Sequence, residues 1–301
     1  MQIELLIASI LRLTTPILLC AIGSQYCDRS GVTNIALEGL MLLGAFMGVL
    51  GSYFTGSWVL GIIIAIASCI IAAMFFGLIT LKLGGTELVV GFAMNVLLSS
   101  LTVYMLRSIF HVSGSIVSDR IIGIPKSSIP GLRSIPVLGA LFNEQNILVY
   151  FAFVSVFLSN FIFKRTHFGL KIISSGENPQ AASAVGIDVH KVRLACLIIT
   201  GVMCGLAGVQ LSLGFLSLFT ENMTSGRGFI ALMAVVYSNG KPFRVLLVAL
   251  LFGTAEMLSN QLQLLQLPSY LILMLPYVCV IVLTLIRIPR SNRRIQVKIE
   301  D

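Results

Sequence analysis

Charge is scarce in this sequence. Only 11% of its 301 residues are Asp, Glu, Lys or Arg, against about 25% in an average soluble domain. So few charges cannot clothe a water-soluble surface at this length, and no stretch is polar enough to form a soluble domain of its own. A phosphate-binding loop of the form G-x-x-x-x-G-K-[ST] is missing too: Asn239-Gly240-Lys241-Pro242 lacks both the first Gly and the Ser/Thr. ATP chemistry is therefore not expected in this chain. The three histidines (His111, His167, His190) flank apolar runs, and all four aspartates (Asp28, Asp119, Asp188, Asp301) lie outside the apolar cores. That excludes an aspartyl intramembrane protease, which needs two Asp in spans, and a serine type, which needs an intramembrane His beside a Ser. No Cys-x-x-Cys pair occurs, and no cysteine sits near a His at ligand spacing. Cys20, Cys27, Cys69, Cys196, Cys204 and Cys279 lie in or beside apolar runs and read as small buried hydrophobes, neither a disulfide framework nor a metal site. The opening Met1-Gln2-Ile3-Glu4 lacks a basic region ahead of the first apolar run, which points to a retained span rather than a cleaved leader.

What is present is hydrocarbon: 57% of the residues are hydrophobic and the mean hydropathy is +0.99. A membrane span needs about 20 apolar residues, because a helix rises about 1.5 Å per residue across about 30 Å of bilayer core. Runs of that kind cover 5–25, 35–56, 58–82, 88–106, 146–163, 192–213, 245–265 and 269–286. A shorter, Gly-interrupted run at 228–239, flanked by Arg227 and Lys241, reads as a short or broken span. The chain is thus expected to be one all-α transmembrane domain, 1–301, with about nine spans and broken or re-entrant helices. Basic residues mark the cytoplasmic side. Lys164, Arg165, Lys171 and Lys191 crowd segment 164–191, with Arg193 two residues beyond it, and Arg287, Arg290, Arg293, Arg294 and Lys298 crowd the tail 287–301. Both are expected inside, with the mixed-charge segment 108–145 and the N-terminus outside. The net charge of +8 serves topology and anionic lipid in this arrangement rather than nucleic acid. Gly44-x-x-x-Gly48 and Gly201-x-x-x-Gly205 each put two glycines on one helix face, where backbones can approach closely.

Segment 164–191 carries a small capped helix. Asn178 is a good N-cap, Pro179 suits the first helical position, and Gly186 is a natural stop. The Ala-rich stretch between them is too short to be stable alone in water. It is either an ordinary capped loop helix or a contact through which a partner transmits force. Polar groups inside the spans are the other signal, since a mid-bilayer charge costs at least about 2.5–3.5 kcal/mol. Glu256 and Asn260 are four apart on one face, Asn95 lies inside the 88–106 run with Phe92 about a turn away, and Asn34 and Glu38 stand at the head of a span between Gly31 and Gly39. Asn amides and a carboxylate can bond the hydroxyls and ring nitrogens of a nucleoside or sugar, and a Phe ring can stack on a base. Interhelical glue is the alternative for Glu256 and Asn95, and a structural role at the helix start is the alternative for Glu38. Arg12, in the first run, either snorkels to the interface or pairs with a carboxylate.

The stretch from Ser175 to Ile187, with Gly176, Glu177, Asn178, Pro179, Ala181, Ala182, Val185 and Gly186, resembles the cytoplasmic coupling loop of ABC importer permeases of the ribose, branched-chain amino acid and nucleoside type. Leu11 to Pro16 followed by Cys27 to Gly39, Thr200 to Gly208, and Ser225 to Val236 with Gly240-Lys-Pro242 are similar to other blocks of that family, in order along most of the chain. The Arg-Ser-Gly-Val-x-Asn-Ile-x-Leu-Glu-Gly wording leans towards the branch associated with nucleoside uptake and basic membrane lipoproteins. One departure is that Val236-Tyr-Ser-Asn-Gly240 stands where the family usually has a Gly pair. The resemblance implies a non-enzymatic transport subunit in the plasma (inner) membrane without a cofactor of its own. It implies a second, different permease, ABC ATPase subunits carrying ATP and Mg, and an external substrate-binding lipoprotein or periplasmic protein. On composition alone an ion-coupled secondary transporter would use Glu38, Glu256 and broken helices equally well.

Overall fold

The computed structural model describes residues 2–127 and 145–263, together with Met274 and Val278. The run 269–286 (those two positions apart), Cys279, the tail 287–301 and positions 128–144 of the outer segment lie outside the described residues. Ten α-helices carry nearly everything described. They are α1 (Gln2–Arg29), α2 (Leu37–Thr55), α3 (Trp58–Gly77, continued by a π-turn Leu78–Lys82), α4 (Glu87–Phe110), α5 (Ile147–Arg165), α6 (His167–Glu177), α7 (Pro179–Ala184), α8 (Val189–Leu211, continued by a π-turn Ser212–Leu216), α9 (Arg227–Ser238) and α10 (Pro242–Leu262). Four two-residue strands, β1 (Ser115–Ile116), β2 (Lys126–Ser127), β3 (Gln145–Asn146) and β4 (Phe219–Thr220), pair β1 with β4 and β2 with β3, both antiparallel.

Seven of these helices are long and apolar enough to cross a bilayer, and α9 is a shorter apolar helix. With 269–286 outside the described residues, the nine expected spans correspond to seven full helices, one half-length helix and that run. The bundle is built around α8, which packs on α1, α2 and α3. The span windows of α2 and α8 are 72% buried, whereas that of α4 is 22% buried. In a bilayer the outer helices can stay apolar because lipid is as apolar as leucine. Leu88, Val89, Phe92, Val96, Leu97, Leu101 and Tyr104 of α4 are therefore large and exposed.

Glycine sets the spacing of the centre. A Cβ on Gly44 would lie 2.9 Å from the Gly205 Cα, and one on Gly208 would lie 2.2 Å from the Met41 carbonyl oxygen. The two Gly-x-x-x-Gly faces of the sequence thus meet each other across the α2–α8 contact, with Gly201 and Gly205 also against α3. Cys20, Cys27, Cys69, Cys196 and Cys204 are free and buried. Cys27 Sγ lies 3.0 Å from Thr200 Oγ1, and Cys69 Sγ donates to the Leu40 carbonyl.

The two ends of the bundle differ. At one end residues 115–127 fold back onto the helix tips: Ser52 Oγ bonds both the carbonyl and the N–H of Ile122 at 2.9 Å, and Ile124 N donates to the Leu213 carbonyl at 3.0 Å. At the other end the chain between α5 and α8 forms α6 and α7.

Candidate coupling and translocation sites

The α6–α7 end is a knot of backbone and guanidinium. Asn178 caps α7, its side chain accepting from Ala181 N at 3.0 Å, and Pro179 is the first helical residue. Gly186 follows with φ +84, a left-handed turn that glycine adopts without strain. Most of α7 faces out: Ala181 is exposed and Val185 is 76% exposed. Ala182 differs from its neighbours, being 3% exposed and turned inward, so it can seat α7 but cannot present itself to a partner. Asp188 caps α8 by accepting from Lys191 N at 3.1 Å and also pairs with Lys191 Nζ at 3.0 Å. That backbone bond, with the Lys191 ammonium, holds its carboxyl below the usual carboxylate range.

This knot is fastened to α1. A Cβ on Gly176 would lie 2.2 Å from the Arg29 carbonyl oxygen, and Gly31 lies against Gly176 and the Arg193 guanidinium. Arg193 Nε donates to the Ser30 carbonyl at 3.1 Å. Arg29 reaches the other way: its Nε and Nη2 both donate to the Gly240 carbonyl, at 3.0 and 2.9 Å, just past the end of α9. The turn there is made by Asn239 and Gly240, both left-handed at φ 50 and 63. This settles the turn that the missing Gly pair left open, because asparagine tolerates that region better than most residues.

From Arg29 the chain turns back into the bundle. Gly31 has φ +80, and residues 32–35 belong to no helix or strand. Thr33 N donates to Glu87 Oε2 at 2.7 Å, at the first residue of α4. Gly39 N donates to Asn95 Oδ1 at 2.8 Å, and Asn95 Nδ2 donates to the Ile35 carbonyl at 2.9 Å. Eight residues separate Glu87 from Asn95, so α2 starts about 12 Å deeper than α4 does. Of the two residues at the head of this span, Glu38 lies in the first turn of α2 and Asn34 precedes the helix. It sits in the irregular approach to α2, where its Oδ1 accepts from Ala36 N at 3.0 Å.

Glu38 then closes the loop. Its carboxylate accepts from Gly226 N at 2.8 Å, from Gly228 N at 2.7 Å and from Thr224 Oγ1. The two N–H groups are free donors at the start of α9, where a negative charge also complements the helix dipole. A Cβ on Gly228 would lie 2.5 Å from the Glu38 backbone, so glycine is what permits the approach. The short helix α9 is therefore held at both ends by one stretch of chain: a carboxylate at its N-terminus from Glu38, and a guanidinium past its C-terminus from Arg29.

The remaining polar residues singled out in the spans go elsewhere. Glu256 on α10 pairs with Arg227 Nη2, both largely buried. Asn260 is exposed one turn on. Phe92 is 51% exposed on α4, its ring centroid 6.3 Å from that of Phe229, whereas Asn95 is buried. Arg12 Nε donates to Gln145 Oε1, an amide, at 2.8 Å.

A cavity of about 270 Å³ lies near the opposite end, between α1, the π-turn after α8 and the descent 220–227. Arg12, Gln210, Phe215, Glu221, Asn222 and Arg227 are among its lining residues, and none of Asn34, Glu38, Phe92, Asn95, Glu256 or Asn260 is. Sequence reasoning passed over Gln210, although an amide inside an apolar run is the same signal that picked out Asn95. It also passed over Arg29 and Gly228, whose roles depend on partners some 190–210 residues away.

Comparison with known proteins agrees with this architecture. The family model described as branched-chain amino acid transport system / permease component matches residues 6–284. The guanosine ABC transporter permease NupQ of Bacillus subtilis is 36% identical over 298 residues, covering 93% of this chain and 90% of that protein. The nucleoside ABC transporter permease NupC of Lactococcus lactis is 32% identical, covering 93% and 91%. A second guanosine permease of Bacillus subtilis, NupP, is 25% identical, covering 81% and 70%. A solved inward-facing ABC transporter described as of metal-chelate type shares the fold, with TM-score 0.52 at 14% identity over 93% of this chain and 84% of that one. The chain is a multi-pass membrane protein and belongs to the family of branched-chain amino acid-type transport system permease components.

Proposed function

We propose that this permease carries nucleosides inward through the plasma membrane, driven by ATPase subunits that dock on α6–α7. The observation that carries the mechanism is the double hold on α9, by Glu38 and by Arg29, with Arg29 packed directly on Gly176 of the α6–α7 knot. A push on α7 has a short route of backbone contacts to α1, and from there through Glu38 to the mid-bundle start of α9. The exposed residues in and flanking α7, namely Glu177, Asn178, Pro179, Ala181, Val185 and Gly186, form the docking face, and Ala182 and Gly176 seat it.

Charge supports the orientation. Arg29, Lys164, Arg165, Lys171, Lys191, Arg193 and Lys241 gather at the α6–α7 end, and basic residues favour the cytoplasmic side. The N-terminus is then outside, and the outer segment 108–145 faces the binding lipoprotein or periplasmic protein that delivers the solute. NupQ and NupP are two different guanosine permeases of one organism, which favours a second, different permease as partner. ATP and Mg belong to the ATPase subunits. Asn34, Glu38, Asn95 and Glu256 act as joints of the moving parts on this reading, and Phe92 and Asn260 lie on outward faces.

The test is uptake of radiolabelled nucleosides and of ribose in cells lacking this gene, with and without ATP depletion. Loss of ATP-dependent nucleoside uptake is the expected result. Loss of ribose uptake alone would replace the substrate. Gene-dependent uptake that followed the proton gradient instead of ATP would overturn the mechanism.

A further inference from the structure

Gln210 is 1% exposed near the end of α8, and neither its Nε2 nor its Oε1 has a hydrogen-bond partner. It lines the 270 Å³ cavity. Arg227, also on the wall, has an unpartnered buried Nε. The other orphaned side-chain atoms among the described residues, on Thr14, Gln25 and Asn34, belong to residues that do not line the cavity. A buried amide left idle at both ends is costly, and here it borders a space and a π-turn, a distortion often found where helices serve function. The size is close to the lower end of the ~300–1,000 Å³ of small-molecule pockets.

The charges around this space are already engaged. Arg227 pairs with Glu256, Glu221 lies 3.7 Å from Arg107, and Arg12 Nε bonds Gln145. That balance favours a neutral solute over an anion. A carboxamide with a free acceptor beside a free donor matches an edge carrying a donor beside an acceptor. Phe215, half-exposed on the same wall, offers a ring face.

We infer that this cavity is a solute-binding site of the permease, in which the Gln210 carboxamide reads the base edge of an uncharged nucleoside. The inference rests on the nucleoside reading above and adds the residue that selects among nucleosides. The site lies at the end opposite α6–α7, where the solute enters.

The test compares inosine, whose six-membered ring presents a carbonyl oxygen beside an N–H, with the purine riboside that lacks the six-position oxygen. Uptake is measured in cells carrying the full importer, wild type and Gln210→Met. Methionine is close in volume and has no such edge. Wild type is expected to favour inosine in KM, and Gln210→Met to lower that preference by about tenfold, the share set by the delivering protein being the same in both. The solute-free purified importer should melt no lower with Gln210→Met, because an orphaned amide has been replaced by an apolar group. A wild-type ratio retained by Gln210→Met overturns the site. So does proportional loss of both uptakes with a lowered melting temperature, which makes Gln210 a packing residue. Wild type that takes up neither nucleoside sinks the nucleoside reading, and the site with it.

Discussion

Glu38 and Gln210 are both polar side chains set into an apolar bundle, and they end differently. Glu38 has three donors on its carboxylate, two of them backbone N–H groups at the start of α9. Gln210 has none on either end of its amide. Asn95 and Arg29 side with Glu38: each makes two hydrogen bonds to backbone groups of another segment. The contrast separates two uses of polarity in a membrane protein. A satisfied group fixes one element to another, and its energy is already committed. An idle group beside a space retains its hydrogen-bonding capacity for something that comes and goes.

Removing Glu38 is expected to do the most damage. Glu38→Ala leaves three neutral donors, two of them backbone N–H groups, without their acceptor, at about 1–3 kcal/mol for each that stays buried and unpaired. Thermal unfolding of the detergent-solubilised permease should fall by several degrees, and uptake should be lost. Near-normal uptake in Glu38→Ala would show that α9 needs no carboxylate at its start, and the distinction between joint and receptor would collapse.

Glu256→Gln comes next. It leaves the Arg227 guanidinium without a counter-charge at a site where both side chains are under 20% exposed, at a cost of about 3 kcal/mol, the lower end for such a break. The double variant Arg227→Met/Glu256→Leu should recover most of that stability, since a buried pair is often no better than apolar packing. Uptake should stay impaired, because Arg227 also lines the cavity. Full recovery of both would remove Arg227 from the receptor side of the comparison.

Arg29→Lys is milder. The ammonium keeps the charge but gives up the guanidinium's two-pronged hold on the Gly240 carbonyl, a loss of about 1–3 kcal/mol. Its informative readout is the number of solute molecules moved per ATP hydrolysed by the assembled importer. That ratio should drop while hydrolysis continues. An unchanged ratio would mean that force reaches α9 by another route.

Much of this was legible in the sequence, and what was not has a common cause. Span positions follow from local hydropathy, so α1 to α5, α8 and α10 fall within a few residues of the runs. Asn178, Pro179 and Gly186 act on backbone within a turn of themselves, so the cap, start and stop of α7 can be read directly. Even the meeting of Gly44 with Gly205 was prepared by spacing. The joints were harder, because the partner of Glu38 lies at 224–228 and that of Arg29 at 240, and no local pattern links them. Phe92 and Asn95 show the limit of one-turn reasoning: three residues apart, they face different surroundings, one outward and one against Gly39. Gln210 carried the same signal as Asn95, and only the empty valences around it distinguish the two.

The smallest effect belongs to the turn that closes α9. Asn239 and Gly240 both have positive φ, but they are not equivalent. A Cβ on Gly240 would lie 2.2 Å from Arg29 Nε, so Gly240→Ala must push the guanidinium off its carbonyl as well as strain the backbone. Asn239→Gly should cost the least. It relieves a left-handed asparagine, a gain offset by the extra freedom of glycine in the unfolded chain, each about 0.5–1 kcal/mol, and it also gives up the interaction that asparagine makes. The melting temperature should fall by no more than about 4 °C, and transport should be retained. A large loss would mean that the Asn239 side chain, rather than its backbone shape, holds the end of α9, and that the joint has a third member besides Arg29 and Glu38.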